Sequence, residues 1–304
     1  IEKEKAIKNF TSNKSYNLTA EFTIFNAITA TYYKEVKNRE KIVKLLPKLV
    51  KYEYKLDNCK KSISTSAAPA PYITSSIQQD ASSKFGMSPT LTMSVLQKLY
   101  EKGKITYMRT DSTYIADTFI ENIQEYCDDK YPGLFQKKEF KPKTDNAQEA
   151  HECIRPVKLV EIDDEFDANE QKLYKIIFNR TIACQMTKYK EEVYEYTLTS
   201  TKKDIHKFKF TLKKIIDLGY KNVYTTDTSD DQELIEKIEL NSLYKPNKIE
   251  AIEKNTKPTP RYTEASLIKE LEDKGIGRPS SFATIVAKLF ERKYALKQTK
   301  HNYK

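Results

Sequence analysis

No stretch of this 304-residue chain approaches the ~20 consecutive apolar residues of a membrane-spanning helix, and no apolar leader opens it. A helical membrane protein and a secreted one are thereby set aside, and a soluble intracellular protein is expected. Cysteine is scarce: Cys59, Cys127, Cys153 and Cys184 lie far apart with no C-x-x-C pair. That excludes a zinc ribbon within the segment and argues against a disulfide framework; thiols on or near apolar helix faces are expected to be buried and reduced. Glycine is scarcer still for this length, six in all. With abundant Asn, Ile, Lys and Tyr, this fits AT-rich coding. No initiator Met is present, and the chain stops just after a helical pattern. Both ends read as cuts through a longer protein.

What is abundant is positive charge. Fifty-three Lys and Arg against 43 Asp and Glu give +10. Such an excess favours a polyanionic partner through phosphate contacts and counterion release, although coding bias also enriches lysine.

The apolar periodicity changes three times along the chain. Leu18, Ala20, Phe22 and Ile24 alternate with polar residues, the pattern of a half-buried strand. A short helix from Asn38 is expected to stop at Pro47, Val50 to Leu56 alternates again, and Lys60 to Pro71 reads as an aperiodic crossing between domains. From Tyr72 to about Arg180 the period is helical. Ser88 and Pro89 open a helix with the face Leu91, Val95, Leu96, Leu99 and Tyr100, and Gly103 closes it. Beyond Tyr189 the period returns to two, through Phe208, Phe210 and Leu212, with Ile215 to Tyr224 also strand-like. At Thr263 helices resume, two short ones across a glycine turn, like a helix-turn-helix. The economical arrangement is α+β: one β domain whose chain leaves to build a helical domain and then returns.

Chemistry concentrates in LYEKGKITYMRTDST, from Leu99 to Thr113. A tyrosine two residues from an arginine, here Tyr107 and Arg109, suits nucleophilic attack on a phosphodiester. The phenol forms the covalent bond, and the guanidinium offsets charge growing on the non-bridging oxygens. His151 is one of three histidines and lies between Glu149 and Glu152 in the same helical region.

The wording of four blocks identifies a family. ITYMRTDST resembles the active-site segment of type IA DNA topoisomerases. QEAHECIRP (Gln148 to Pro156), RYTEASLIKELEDKGIGRPSSFATIV (Arg261 to Val286) and APYITSSIQQDAS (Ala70 to Ser82) resemble three further elements of that family. The resemblance covers roughly Pro69 to Lys304. It implies a β-rich arch (1–70 and 188–260), interrupted by a helical domain with the active-site tyrosine (71–187), and followed by the start of a helical, helix-turn-helix-like base domain (261–304). It implies transient single-strand cleavage through a 5′-phosphotyrosine, strand passage and religation, relaxing negatively supercoiled DNA. Tyr107, Arg109 and His151 match catalytic positions. Arg155, Arg278, Ser280, Ser281, Glu101 and Asp111 match positions that bind DNA or lie near the tyrosine. Cys153, Val157 and Ser281 depart from the usual Ala, Thr and Thr.

The implied partners are DNA, mainly single-stranded, and a Toprim domain of the same full-length protein. The implied location is the cytoplasm, associated with DNA. The implied cofactor is Mg²⁺, held by the Toprim domain's D-x-D-x-E cluster. No D-x-D-x-E occurs here, so no metal ligand is assigned, and the segment alone is expected to be inactive. The alternative is a non-catalytic single-stranded DNA clamp of the same fold. A tyrosine recombinase or type IB enzyme is rejected, because His151 and Arg155 do not form H-x-x-R and the tyrosine precedes them.

Overall fold

The computed structural model describes all residues except 25, 141–150, 162–164, 226–229 and 298–304. In chain order the elements are α1 (Glu2–Lys8), β1 (Lys14–Ile24), β2 (Asn26–Tyr32), α2 (Arg39–Lys51) and β3 (Tyr54–Ser66). The helical stretch contributes α3 (Thr74–Phe85), α4 (Pro89–Glu101), α5 (Asp117–Lys130) and α6 (Ala168–Ala183). Then come β4 (Tyr189–Ser200), β5 (Lys207–Asp217), a 3-10 turn (Gly219–Val223), α7 (Gln232–Lys237), β6 (Leu243–Tyr244), β7 (Pro246–Asn255), α8 (Glu264–Asp273) and α9 (Phe282–Glu291).

The chain divides into two compact units. One comprises Ile1–Ser66, Lys190–Leu218 and Asp227–Arg261; the other comprises Ala67–Tyr189, Gly219–Thr226 and Tyr262–Lys304. The first is built on a seven-stranded sheet of order β6-β3-β4-β5-β2-β1-β7. The pairings β1–β2, β1–β7, β2–β5, β3–β6 and β4–β5 are antiparallel. Alternation along β1 and β5 sends Leu18, Phe22 and Phe208 into one core, where Leu198 of β4 joins them. There the Phe22 ring meets Tyr54 and Phe208 edge-on at 5.6 and 5.8 Å.

Three sequence expectations for this region need correction. Helix α2 runs through Pro47 to Lys51. Its last turn carries Leu49, fully buried, whose carbonyl accepts the Tyr54 hydroxyl at 3.0 Å. That anchoring outweighs one missing ladder bond at an exposed proline. Lys60 to Ser66 continue β3 rather than forming a crossing. With both faces largely exposed, the serines and lysines leave no apolar alternation to read. And the strand-like run after Ile215 ends at Asp217, where Gly219 turns the chain with φ +48°.

The helical unit packs α3 to α6 around Ile77, Leu96, Leu99, Ile123, Leu173 and Ile177. Within α4, Thr92 is buried while Leu91 and Tyr100 are more than two-fifths exposed, so the buried face is narrower than its apolar residues suggest. Cys127, Cys153 and Cys184 are buried and free. Burial pushes the Cys127 thiol up to about 11 and that of Cys184 to about 12, leaving little thiolate to react. Residues from Tyr262 onward belong to this same unit: α8 packs on α3 and α9 on α4.

One polar tie fastens α6 to α3. Arg180 reaches Asp80 at 2.9 Å, its guanidinium lies 4.3 Å from the Tyr72 ring centre, and the Tyr72 hydroxyl donates to Asp80 at 2.5 Å. Burial alone would raise the Asp80 carboxyl, but hydrogen bonds from Tyr72 and Lys84 and the nearby positive charges hold it below the usual range. Arg180→Met takes from the partly buried carboxylate one of its two cationic partners, leaving Tyr72 and Lys84. We expect a loss of about 2 kcal/mol, less than for a fully buried pair because Asp80 keeps some solvent. Urea melts followed by circular dichroism check this; an unchanged midpoint would contradict it.

Candidate active site

Gly103, at φ +66°, ends α4 and releases a segment pinned from two sides. On one side, the Thr106 amide donates to the Arg155 carbonyl at 2.9 Å and the Val157 amide to the Lys104 carbonyl at 3.0 Å. The Thr106 hydroxyl donates to the Cys153 carbonyl at 2.6 Å and accepts the Arg155 amide at 3.0 Å. On the other side Thr74 at the start of α3 is the anchor. Its amide donates to the Thr110 carbonyl at 3.0 Å, and its hydroxyl donates to the Met108 carbonyl at 2.7 Å and accepts the Thr110 amide at 2.9 Å.

The pins fix which side chains face solvent. Met108, Thr110 and Ser112 are buried, and the alternate residues Tyr107, Arg109 and Asp111 are exposed. Tyr107 is 40% exposed, high for a tyrosine on a backbone held this firmly. Its ring rests edge-on against Tyr100, centres 5.3 Å apart. A rigid backbone with an outward phenol and an outward guanidinium two residues on is preorganised for a substrate arriving from solvent.

The other expected residues fall into three groups. His151 is half-buried and precedes the segment that pairs with Lys104 to Thr106; its neighbours in 141–150 lie outside the described residues. Glu101, at the end of α4, is exposed and accepts the Gln97 amide at 2.8 Å. Arg155 is committed within the fold. It pairs with Glu152 at 2.6 Å, donates to the Pro156 carbonyl at 2.9 Å and lies 3.9 Å from the centre of the Phe119 ring. Glu152 in turn accepts the Ala116 amide at 2.9 Å, at the start of α5. The pair thus orients the extended segment whose backbone holds Thr106.

Asp111 and Arg278 come together. Both line a cleft of about 390 Å³, with Ile73, Thr110, Glu272 and Phe282 among its other walls. Ser281 folds back: its hydroxyl accepts the Arg278 amide at 2.8 Å and donates to the Arg278 carbonyl at 3.1 Å. Gly277 permits this turn at φ +88°, and a Cβ there would meet Ile285 at 2.8 Å. Ser280 is exposed beside it.

Reading by residue type missed Thr74, Thr106 and Ser75. The first two pin the tyrosine segment. Ser75 lines the cleft, buried, with its hydroxyl lacking a hydrogen-bond partner. Both threonines lie in the recognised blocks, yet nothing in sequence says which hydroxyl faces which backbone. Gln78, one turn beyond Ser75, is fully buried with both amide atoms unpartnered. Among the described residues no cluster of three His, Cys, Asp or Glu side chains is placed to hold a metal ion.

The family model described as DNA topoisomerase matches residues 1–304. DNA topoisomerase 1 of Aquifex aeolicus is 36% identical over 310 residues, covering 97% of this chain and 55% of that protein. DNA topoisomerase 1 of Buchnera aphidicola is 34% identical over 306 residues, covering 96% of this chain and 35% of that one. The structure of full-length topoisomerase I from Thermotoga maritima superposes with a TM-score of 0.81 at 32% identity, covering 98% of this chain and 50% of that one. This chain therefore spans about a third to a half of the length of these relatives. The exposed Tyr107-x-Arg109 pair on its pinned segment, the match over the whole chain and the shared fold lead to one conclusion: the chain belongs to the type IA DNA topoisomerase family.

Proposed function

We propose that this chain is the tyrosine-bearing segment of a type IA topoisomerase that cuts one DNA strand, passes another through the break and reseals it, relaxing negatively supercoiled DNA. Tyr107 Oη attacks the phosphorus and gives up its proton. The bond from phosphorus to the 3′ oxygen breaks, and that oxygen leaves protonated as a 3′ hydroxyl. The 5′ phosphate stays on the phenol. Resealing is the reverse: the hydroxyl attacks the phosphotyrosine, Tyr107 leaves, and the number of ester bonds is conserved throughout.

The observation that carries this reading is the exposure of Tyr107 and Arg109 on a backbone pinned at Thr106, Met108 and Thr110. Arg109 meets the charge that grows on the non-bridging oxygens, a bidentate fit that lysine lacks. His151 joins it at the phosphate. Arg278, Ser280, Ser281, Asp111 and Glu101 border the path of a single strand approaching Tyr107, and Arg155 acts by holding Glu152 and the backbone at Thr106. A non-catalytic clamp would gain nothing from an outward phenol beside an outward guanidinium.

Magnesium and a Toprim domain complete the site in this reading. The described residues of this chain do not themselves form a place for the metal, so no step above runs through it. The protein works in the cytoplasm on DNA; no helix among the described residues is long and apolar enough to cross a membrane.

The test is Arg109→Ala and Arg109→Lys in the longer protein, with cleavage of a labelled single-stranded oligonucleotide as the readout. Losing one charge-stabilising donor costs on the order of 10²–10³ in cleavage rate, and lysine recovers only part of it. Cleavage by the alanine variant at the wild-type rate would remove Arg109 from the chemistry.

A further inference from the structure

Several lysines on other helices are paired within a turn: Lys84 with Asp80 on α3, Lys237 with Glu233 on α7, Lys269 with Asp273 on α8. Helix α2 of the sheet unit is different. It carries Arg39, Lys41, Lys44, Lys48 and Lys51 against one acid, Glu40. All five cations are exposed, and among the described residues none forms an ion pair. Lys48 and Lys51 near the carboxy terminus suit the helix dipole. Arg39 and Lys41 sit in the first turn, where a positive charge opposes it, and Lys41, Lys44 and Lys48 repel one another along one stripe. Helix stability therefore does not account for the stripe.

The stripe borders a groove of about 430 Å³ whose far side is Asp204, Ile205 and His206. Asp204 is the only carboxylate among the groove's residues. His206 is fixed in place: its Nδ1 lies 2.7 Å from the Tyr32 hydroxyl and its ring stacks on Tyr52 at 5.9 Å. Burial, opposed by Asp204 and reinforced by the Lys48 and Lys34 charges, holds its pKa below the ordinary value. A fourth lysine thus acts on the same spot.

We propose that the Lys41–Lys44–Lys48 stripe binds the phosphate backbone of DNA, as a contact separate from the strand at Tyr107. At 1.5 Å per residue the three lysines span about 10 Å of helix, close to three nucleotide steps of a duplex strand at 3.4 Å each. Repulsion that costs the free helix stability is relieved when the phosphates arrive. The inference rests on the proposed action on DNA only for the identity of the polyanion.

The experiment measures binding of a fluorescent oligonucleotide, single-stranded and duplex, by the 304-residue chain between 50 and 200 mM salt. Four proteins are compared: wild type, the triple variant Lys41→Gln, Lys44→Gln, Lys48→Gln, the same three positions changed to Arg, and Arg278→Gln. Removing three phosphate contacts flattens the slope of log K against log salt by about 2 for a single strand and about 2.7 for duplex, and arginine keeps it. The strand type that loses slope identifies the DNA bound there. A triple glutamine variant with the wild-type slope on both would overturn the proposal. So would a triple arginine variant that loses slope with it, since charge would then not be the cause. Arg278→Gln reports on the tyrosine site separately: if it alone is silent the site reading suffers, and if the stripe alone is silent only this inference does.

Discussion

Tyr107→Phe in the longer protein is expected to leave no covalent DNA adduct after denaturant trapping on labelled single-stranded oligonucleotide. The change deletes one oxygen. The ring keeps its edge contact with Tyr100, and the backbone pins at Thr106, Met108 and Thr110 do not involve the phenol. Folding and non-covalent binding should therefore be nearly unchanged, while cleavage falls at least about 10⁴-fold, as for loss of other catalytic nucleophiles. The separation of the two readouts is what makes the result informative. A residue that merely shaped the site would lower binding along with cleavage. A protein-linked 5′ end persisting in the phenylalanine variant would show that another group is the nucleophile.

The second large effect concerns the segment by itself. The 304-residue chain is expected to give no relaxation of negatively supercoiled plasmid in Mg²⁺, even at high protein concentration. It holds the proposed nucleophile and its arginine, but no D-x-D-x-E occurs in its sequence and no group of metal-ligating side chains is gathered among the described residues. Adding the purified amino-terminal domain of the longer protein should restore some oligonucleotide cleavage, because in this reading the two domains share one site. Relaxation by the wild-type segment alone, lost in Tyr107→Phe, would mean that the chemistry is complete within these residues.

How much of this was legible in sequence depends on what each residue answers to. Period-two alternation placed Leu18 to Ile24 and Phe208 to Leu212 because each apolar side chain there has one buried face to fill. The Ser88 cap and the Gly103 stop were readable because their requirements are local, a side-chain acceptor for an amide in one case and a positive φ in the other. Lys60 to Ser66 were not: a strand exposed on both faces is specified by its neighbours in the sheet, which sequence separation hides. Pro47 misled for a similar reason, since Leu49 in the turn beyond it is buried among side chains from distant strands. At the site, Tyr107 and Arg109 stood out by their wording, whereas Thr74 and Thr106 are ordinary residues made important by the backbone opposite. Arg155 shows the converse. It sits in a matched block, yet its guanidinium is held by Glu152 and Phe119.

The central claim is that one particular oxygen, Tyr107 Oη, carries the DNA. The most direct measurement is to trap the adduct on an oligonucleotide labelled within its 3′ product, digest the protein, and sequence the peptide that retains the nucleotide by mass spectrometry. The account predicts a single modified peptide spanning Ile105 to Arg109, with the 5′ phosphate on Tyr107. Modification at any other residue, or a 3′-linked product, would contradict it.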